Sequence, residues 1–131
     1  MRFPGRSLAL GAALLLAGCG DARRDATRTV QAIGPAPLRR DAAAFHKQLF
    51  AAPPARYFLP RPSHWPASFT RLKPLRVRAY PDGFALALRE RRGLEEGLYL
   101  IPLGMELAPR QSRAASFSPL AEGIYWYAFT D

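Results

Sequence analysis

Few side chains in this sequence are of the types that catalyse reactions or bind metal ions, and they lie far apart along the chain. A zinc site needs three or four ligands in tight geometry, whereas the chain has two histidines, His46 and His64, in separate segments. Ser63 precedes His64, but the sequence has no Gly-x-Ser-x-Gly turn to activate a serine nucleophile. It also has no glycine-rich phosphate loop and no dinucleotide fingerprint. We therefore expect no metal, no cofactor and no enzymatic activity, and we interpret His46 as a solvent-facing helix residue.

Paired carboxylates are the remaining route to catalysis, because one of them can act as general acid and the other as base. Glu95, Glu96 and Glu106 could in principle supply such a pair. A charged, solvated loop over residues 90–96 accounts for the first two more simply. A hydrolase whose active site the sequence does not place is kept as an alternative.

Arginine dominates the charge of the chain. The formal net charge is +9, and of the 19 basic residues only Lys47 and Lys73 are lysines. Five arginines could gather at the end of a β-hairpin distal to its turn, and they are Arg76, Arg78, Arg89, Arg91 and Arg92. Such a basic patch would suit an anionic partner, namely lipid headgroups, a wall polymer or an acidic protein surface. The alternative is a solvated sheet face in a protein that is rich in arginine throughout.

The single cysteine, Cys19, follows a segment with the composition of an export signal. Arg2 and Arg6 precede about ten apolar residues, which at about 1.5 Å per residue are too short to cross a bilayer core of about 30 Å. A charged start, a short apolar core and small residues at the exit are typical of a removable signal peptide, here residues 1–18. The stretch Leu16-Ala17-Gly18-Cys19 is a lipobox, and through its first 20 or so residues the chain resembles bacterial lipoproteins.

The resemblance implies cleavage before Cys19, a diacylglyceryl thioether on its sulfur and acylation of the new N-terminus, with palmitate as the expected acyl type. Each buried CH₂ contributes about 0.8 kcal/mol, so several chains hold a protein at a membrane without a transmembrane helix. A lone cysteine in an exported protein cannot form an intramolecular disulfide, and acylation would account for it. An ordinary secretory signal with a chance cysteine is the alternative. Gly20 favours the outer membrane, whereas Asp21 resembles the acidic retention signals of some bacteria.

Residues 19–40 are expected to form the acylated N-terminus and a disordered tether, because mixed charge and few apolar residues cannot offset the entropy of ordering. About eighteen flexible residues would have a root-mean-square span of roughly 20–25 Å, which would lift the domain off the bilayer. A single small domain then covers residues 41–131. Its best helix is predicted at residues 41–50, with Asp41 as the N-cap and Phe45 and Leu49 on one face.

The remainder of the domain has the alternation of β-strands. Leu75, Val77 and Ala79 are predicted to point one way, and the turn Tyr80-Pro81-Asp82-Gly83 to lead into a partner strand. A third strand is predicted at residues 97–102, a surface loop at residues 105–119 and an aromatic strand at residues 124–129. Trp126 is expected to face the helix. The fold class is therefore α+β, a small antiparallel sheet of about four strands with one packed N-terminal helix.

These features favour a membrane-anchored envelope lipoprotein that binds another component and is not an enzyme. The lipid anchor would hold it in the cell envelope facing the periplasm, at the outer membrane in preference to the inner membrane. Expected partners are the membrane itself and an anionic envelope component or an envelope protein, with no nucleic acid because the anchor keeps the domain away from it. The alternatives are an envelope hydrolase and a periplasmic inhibitor or immunity-type protein.

Overall fold

The computed structural model of the chain describes residues 21–51, 59–105, 109 and 115–130. The predicted signal peptide at residues 1–18, the predicted acylation site Cys19 and Glu106 lie outside the described residues. The described part of helix α1 is residues 21–33. It is followed by α2 (Pro35–Leu49), a 3-10 turn (Pro62–His64) and α3 (Ala67–Arg71). No helix within the described ranges is long and apolar enough to cross a membrane.

Five antiparallel strands form one sheet in the order β1-β2-β3-β5-β4. They are β1 (Arg76–Tyr80), β2 (Gly83–Arg91), β3 (Leu94–Leu100), β4 (Ala115–Ala121) and β5 (Ile124–Thr130). The predicted α+β class is confirmed, with one strand more than the expected four and with three described helices in place of one. The additional strand, β4, occupies part of the segment predicted as a surface loop. It forms because β5 offers it a free edge, on which Phe117 faces Tyr127 in register.

Both hairpins that involve β2 are tight. The predicted turn at Pro81 and Asp82 is confirmed, since Tyr80 pairs with Gly83 across it. The predicted charged loop at residues 90–96 is wrong, because β2 and β3 are joined by Arg92 and Gly93 alone. These two residues have φ values of 43° and 79°, and positive φ at both central positions matches the twist of a two-residue hairpin.

The predicted disordered tether is wrong over residues 21–40, which are helical apart from Gly34. Ala26 and Val30 are buried in the core, and Ala22 and Ile33 pack against it, so α1 has an apolar stripe at helical spacing. Two members of this stripe are alanines, and for that reason composition alone did not reveal it. The folded domain therefore begins well before residue 41.

Helix α2 also begins earlier than predicted, at Pro35. Gly34 precedes it with a φ of 96°, and proline at the first helical position has the dihedral that a helix needs. Asp41 consequently lies inside the helix instead of capping it. On the buried side, the ring of Phe45 stacks on Phe84 with centroids 5.4 Å apart, while Phe69 meets both rings edge-on.

The sheet has two apolar faces of different character. The helix-side face contributes Leu86, Leu98 and Ile124 to the main core, together with Trp126, which confirms the predicted side for this residue. The opposite face carries a second buried cluster, in which Tyr99, Ile101 and Tyr127 are central. Alternation along β5 explains why Trp126 and Tyr127 belong to different clusters, because successive side chains of a strand point to opposite faces.

Candidate functional site

The face of the sheet opposite the helices is lined with aromatic rings, and we call it the aromatic face. Its members are Tyr80 of β1, Tyr99 of β3, Phe117 of β4, and Tyr125, Tyr127 and Phe129 of β5. Of the described residues that form or pack on its cluster, none belongs to a helix. The helices therefore cover one side of the sheet, and side chains of the strands themselves make up most of the other.

The rings on this face pack edge to face. Tyr99 lies 5.2 Å from Phe117 and Phe117 lies 6.0 Å from Phe129, measured between centroids, with interplanar angles of 78° and 77°. Such T-shaped pairs are preferred because the positive edge of one ring meets the negative face of the next. Tyr99 and Tyr127 are buried, whereas Tyr125 and Phe129 are partly exposed. The face therefore combines a rigid floor with apolar surface that solvent reaches.

Four charged side chains lie beside these rings and form hydrogen bonds with one another and with the hydroxyl of Tyr127. We call this group the Glu95 cluster, and its members are Arg76, Arg78, Glu90, Glu95 and Tyr127. Glu95 is 7 % exposed and stands at its centre. Its carboxylate accepts hydrogen bonds from Arg78 at 2.5 Å, from the Tyr127 hydroxyl at 2.7 Å and from Arg76. Arg76 also donates to Glu90 at 3.0 Å. Two positive and two negative charges thus meet, and the cluster has no net charge.

The protonation states in this cluster follow from its geometry. Burial raises the pKa of Glu95, but the hydrogen bonds from Tyr127, Arg78 and Arg76 outweigh burial and bring its pKa below the ordinary value. The hydrogen bond from Arg76 likewise lowers the pKa of Glu90. Burial and the hydrogen bond to Glu95 raise the pKa of Tyr127, so this phenol keeps its proton. Both carboxylates are ionised at neutral pH, and neither resembles a general acid, whose pKa must be raised.

The arginines predicted as one basic patch are divided by the structure. Arg76 and Arg78 lie on the aromatic face, where both are paired with glutamates. Glu90 shares that face, so alternation along β2 directs its neighbours Arg89 and Arg91 to the other side, after an irregularity at residues 87–89. Arg92 is exposed at the hairpin turn. The prediction that all five gather into one basic surface is wrong, because strand alternation and ion pairing separate them.

Sequence reasoning missed the role of Glu95, which it assigned to a solvated loop. The alternation Glu95, Gly97, Tyr99 would have placed it on the face of Tyr127, had β3 been extended to residue 94. A second hydrogen bond between a tyrosine and a carboxylate was also missed, in which the Tyr99 hydroxyl donates to Asp82 at 2.5 Å. Burial and that hydrogen bond raise the pKa of Tyr99.

His46 is buried, which corrects the expectation of a solvent-facing helix residue. Its Nε2 lies 3.1 Å from the carbonyl oxygen of Tyr80 and 3.0 Å from that of Pro81, and its ring stacks on Phe50 at 4.4 Å. Because both neighbours of Nε2 are acceptors, this nitrogen carries a proton and holds the β1–β2 turn against α2. His64 is exposed in the 3-10 turn. Within the described residues, no group of three histidine, cysteine or acidic side chains could hold a metal ion.

Arg39 is a second buried polar residue with a structural role. Its Nε donates to the carbonyl oxygen of Ile101 at 2.8 Å, and its guanidinium also reaches the carbonyl oxygens of Pro102 and Met105. The backbone of Gly123 lies against this guanidinium so closely that a side chain there would collide with it. Arg39 thus ties α2 to the end of β3 that is remote from Arg92.

Comparison of the chain with protein-family models, curated proteins and solved structures finds no match, so the functional argument rests on the residues and their geometry.

Proposed function

We propose that this protein is a membrane-anchored bacterial envelope lipoprotein whose folded domain is a non-enzymatic binding module. The lipobox that ends at Cys19 supports the anchor and the location in the envelope facing the periplasm, and Gly20 after it favours the outer membrane. The aromatic face supports the binding role. The binding role depends on this one observation, the aromatic face.

The aromatic face supports binding through its partly exposed apolar area. A sheet with two apolar faces needs both of them covered, and the described helices pack on one. Tyr125 and Phe129 are partly exposed on the other face, beside a buried floor of Tyr99 and Tyr127. Aromatic side chains are enriched in the cores of protein interfaces because they bury much area with few rotatable bonds.

The partner of this face is proposed to be an envelope protein or polymer with apolar and hydrogen-bonding groups. A purely electrostatic contact with an anionic component is less well supported, because Glu90 and Glu95 already neutralise Arg76 and Arg78. Their remaining donors and acceptors lie beside Phe129, where they could fix the orientation of a bound partner.

The anchor is tested by metabolic labelling with a fatty acid. The wild-type protein should incorporate the label, and Cys19→Ala should not, because the thioether needs the cysteine sulfur. Equal incorporation into both proteins would contradict the lipoprotein assignment.

The binding role is tested with the acylated protein as bait in envelope extracts. Tyr125→Ser changes the aromatic face, and Leu103→Ser is the matched control, because Leu103 is 45 % exposed and lies outside that face. We expect a component that the wild type and the control retain and that Tyr125→Ser loses, while all three proteins melt cooperatively. If Tyr125→Ser retains every component that the wild type does, the aromatic face is not the binding surface.

A further inference from the structure

The chain between the predicted lipid anchor and the folded domain is very short. Residue 21 is already part of helix α1 and follows Cys19 by two positions, and two residues of chain can span at most about 7 Å. The helix is fixed to the domain, since Ala26 and Val30 are buried in its core. An acylated Cys19 would therefore hold the N-terminal end of α1 close to the bilayer surface, and the domain with it.

A basic and apolar surface lies at this end of the molecule. Residues 22–29 of α1 share a recess with the end of α3 and the loop that follows it: Ala22 and Asp25 line one side, and Arg71 and Lys73 line the other. Arg71 and Lys73 are exposed. Two residues further on, Leu75 is 59 % exposed. We call Arg71, Lys73 and Leu75 the anchor-proximal surface.

The surrounding charges reinforce its positive character. Arg24 and Arg28 are exposed on α1, and Arg91 and Arg92 are exposed at the β2–β3 turn, at the same end of the sheet as Leu75. The acidic residues on this part of α1 are Asp21 and Asp25, and the first lies 3.8 Å from Arg24. Cationic side chains next to a lipid anchor are attracted to anionic headgroups, and an exposed leucine beside them can enter the interfacial region.

We propose that the domain rests on the membrane with its anchor-proximal surface against anionic phospholipid headgroups, and so has a fixed orientation in place of a free tether. This inference depends on the proposed acylation of Cys19. It leaves the aromatic face, whose cluster contains no residue of the anchor-proximal surface, available to a partner in the envelope.

The orientation can be measured with a single fluorescent label, because acylation consumes the one cysteine of the natural sequence. Leu75→Cys places the label on the anchor-proximal surface. Leu103→Cys is the matched control, since Leu103 is also exposed and follows β3, whose seven residues span about 20 Å of sheet. Both acylated proteins are placed in vesicles of phosphatidylethanolamine and phosphatidylglycerol that contain a lipid with a spin-labelled headgroup, which quenches nearby fluorophores.

We expect the label at residue 75 to be quenched several-fold more than the label at residue 103. Omitting phosphatidylglycerol, or adding Arg71→Gln and Lys73→Gln to the labelled protein, should reduce that difference. Equal quenching of the two labels, or stronger quenching at residue 103, would overturn the orientation. A difference that is insensitive to both changes would overturn the role of anionic headgroups. Mass analysis of the protein before labelling separates these results from a failure of the proposed function, which would appear as an absence of acyl chains.

Discussion

Replacing Glu95 with Gln removes one negative charge from the centre of the Glu95 cluster and keeps the size of the side chain. Arg76 and Arg78 then lose their shared partner, and Tyr127 loses a charged acceptor. Removing one member of a buried ion pair costs about 3–5 kcal/mol, because the remaining charge is left desolvated and unpaired. The side chains of Arg76 and Arg78 are 30 % and 24 % exposed, so water compensates in part. We therefore expect a loss of about 3 kcal/mol in the free energy of unfolding.

Glu90→Gln is the matched control. Glu90 accepts a hydrogen bond from the same Arg76, but its side chain is 53 % exposed, and solvent-exposed ion pairs contribute little to stability. Urea denaturation of both variants at neutral pH measures the difference. The midpoint should fall much further for Glu95→Gln than for Glu90→Gln, with no change in the slope of free energy against urea concentration.

The same pair of variants gives a test against pH. Folding lowers the pKa of Glu95. The stabilisation of the folded state by this carboxylate is therefore complete above the pKa that Glu95 has in the unfolded chain, about 4.3, and it is lost as the pH falls through the lower pKa that Glu95 has in the folded protein. The stability gap between wild type and Glu95→Gln should therefore close in acid. Equal losses from the two variants at neutral pH, or a gap that persists at low pH, would refute the argument that a desolvated carboxylate holds this cluster together.

Further predictions concern the core, helix α1 and the turn at Gly123. Trp126→Ala should lower the free energy of unfolding by about 3–5 kcal/mol in denaturant melts, whereas Leu75→Ala, at an exposed position, should change it little. Deletion of residues 22–34 should abolish or strongly weaken the cooperative thermal transition, because it removes Ala26 and Val30 from the core; an unchanged melting temperature would mean that α1 is not part of the fold. Gly123→Ala should cost about 1–3 kcal/mol by the same assay, since the residue has a φ of 69° and its new methyl group would meet a buried guanidinium.

The sheet was predictable where a single rule applied. Strict alternation predicted β1 and β5, and it predicted correctly that Trp126 faces the helices. The turn at Pro81-Asp82 was predictable because a proline followed shortly by a glycine is typical of turns and uncommon within helices and strands. These signals are local, and for that reason they needed no knowledge of the rest of the fold.

The errors came from segments whose structure depends on partners distant in sequence. Helix α1 looked too polar to fold, yet its small alanines suit a position where a helix packs closely on other elements. Strand β4 contains Pro119 and two serines, and it is a strand because β5 lies beside it. The Glu95 cluster joins four strands, β1, β2, β3 and β5, so charge counting along the sequence predicted a basic patch where the folded chain has balanced pairs.

The strand order has a consequence for how the molecule reaches its folded state. Within the described residues, β4 pairs only with β5, and β5 is also the neighbour of β3. Strands β1 to β3 can assemble through two short turns as they emerge, but β4 has no neighbour to join until β5 is present. Until β5 has been synthesised, the edge of β3 keeps unpaired backbone N–H and C=O groups, to which other unfinished chains can bind. Formation of the complete sheet thus depends on β5, so a chain interrupted before this strand would leave a three-stranded intermediate prone to self-association.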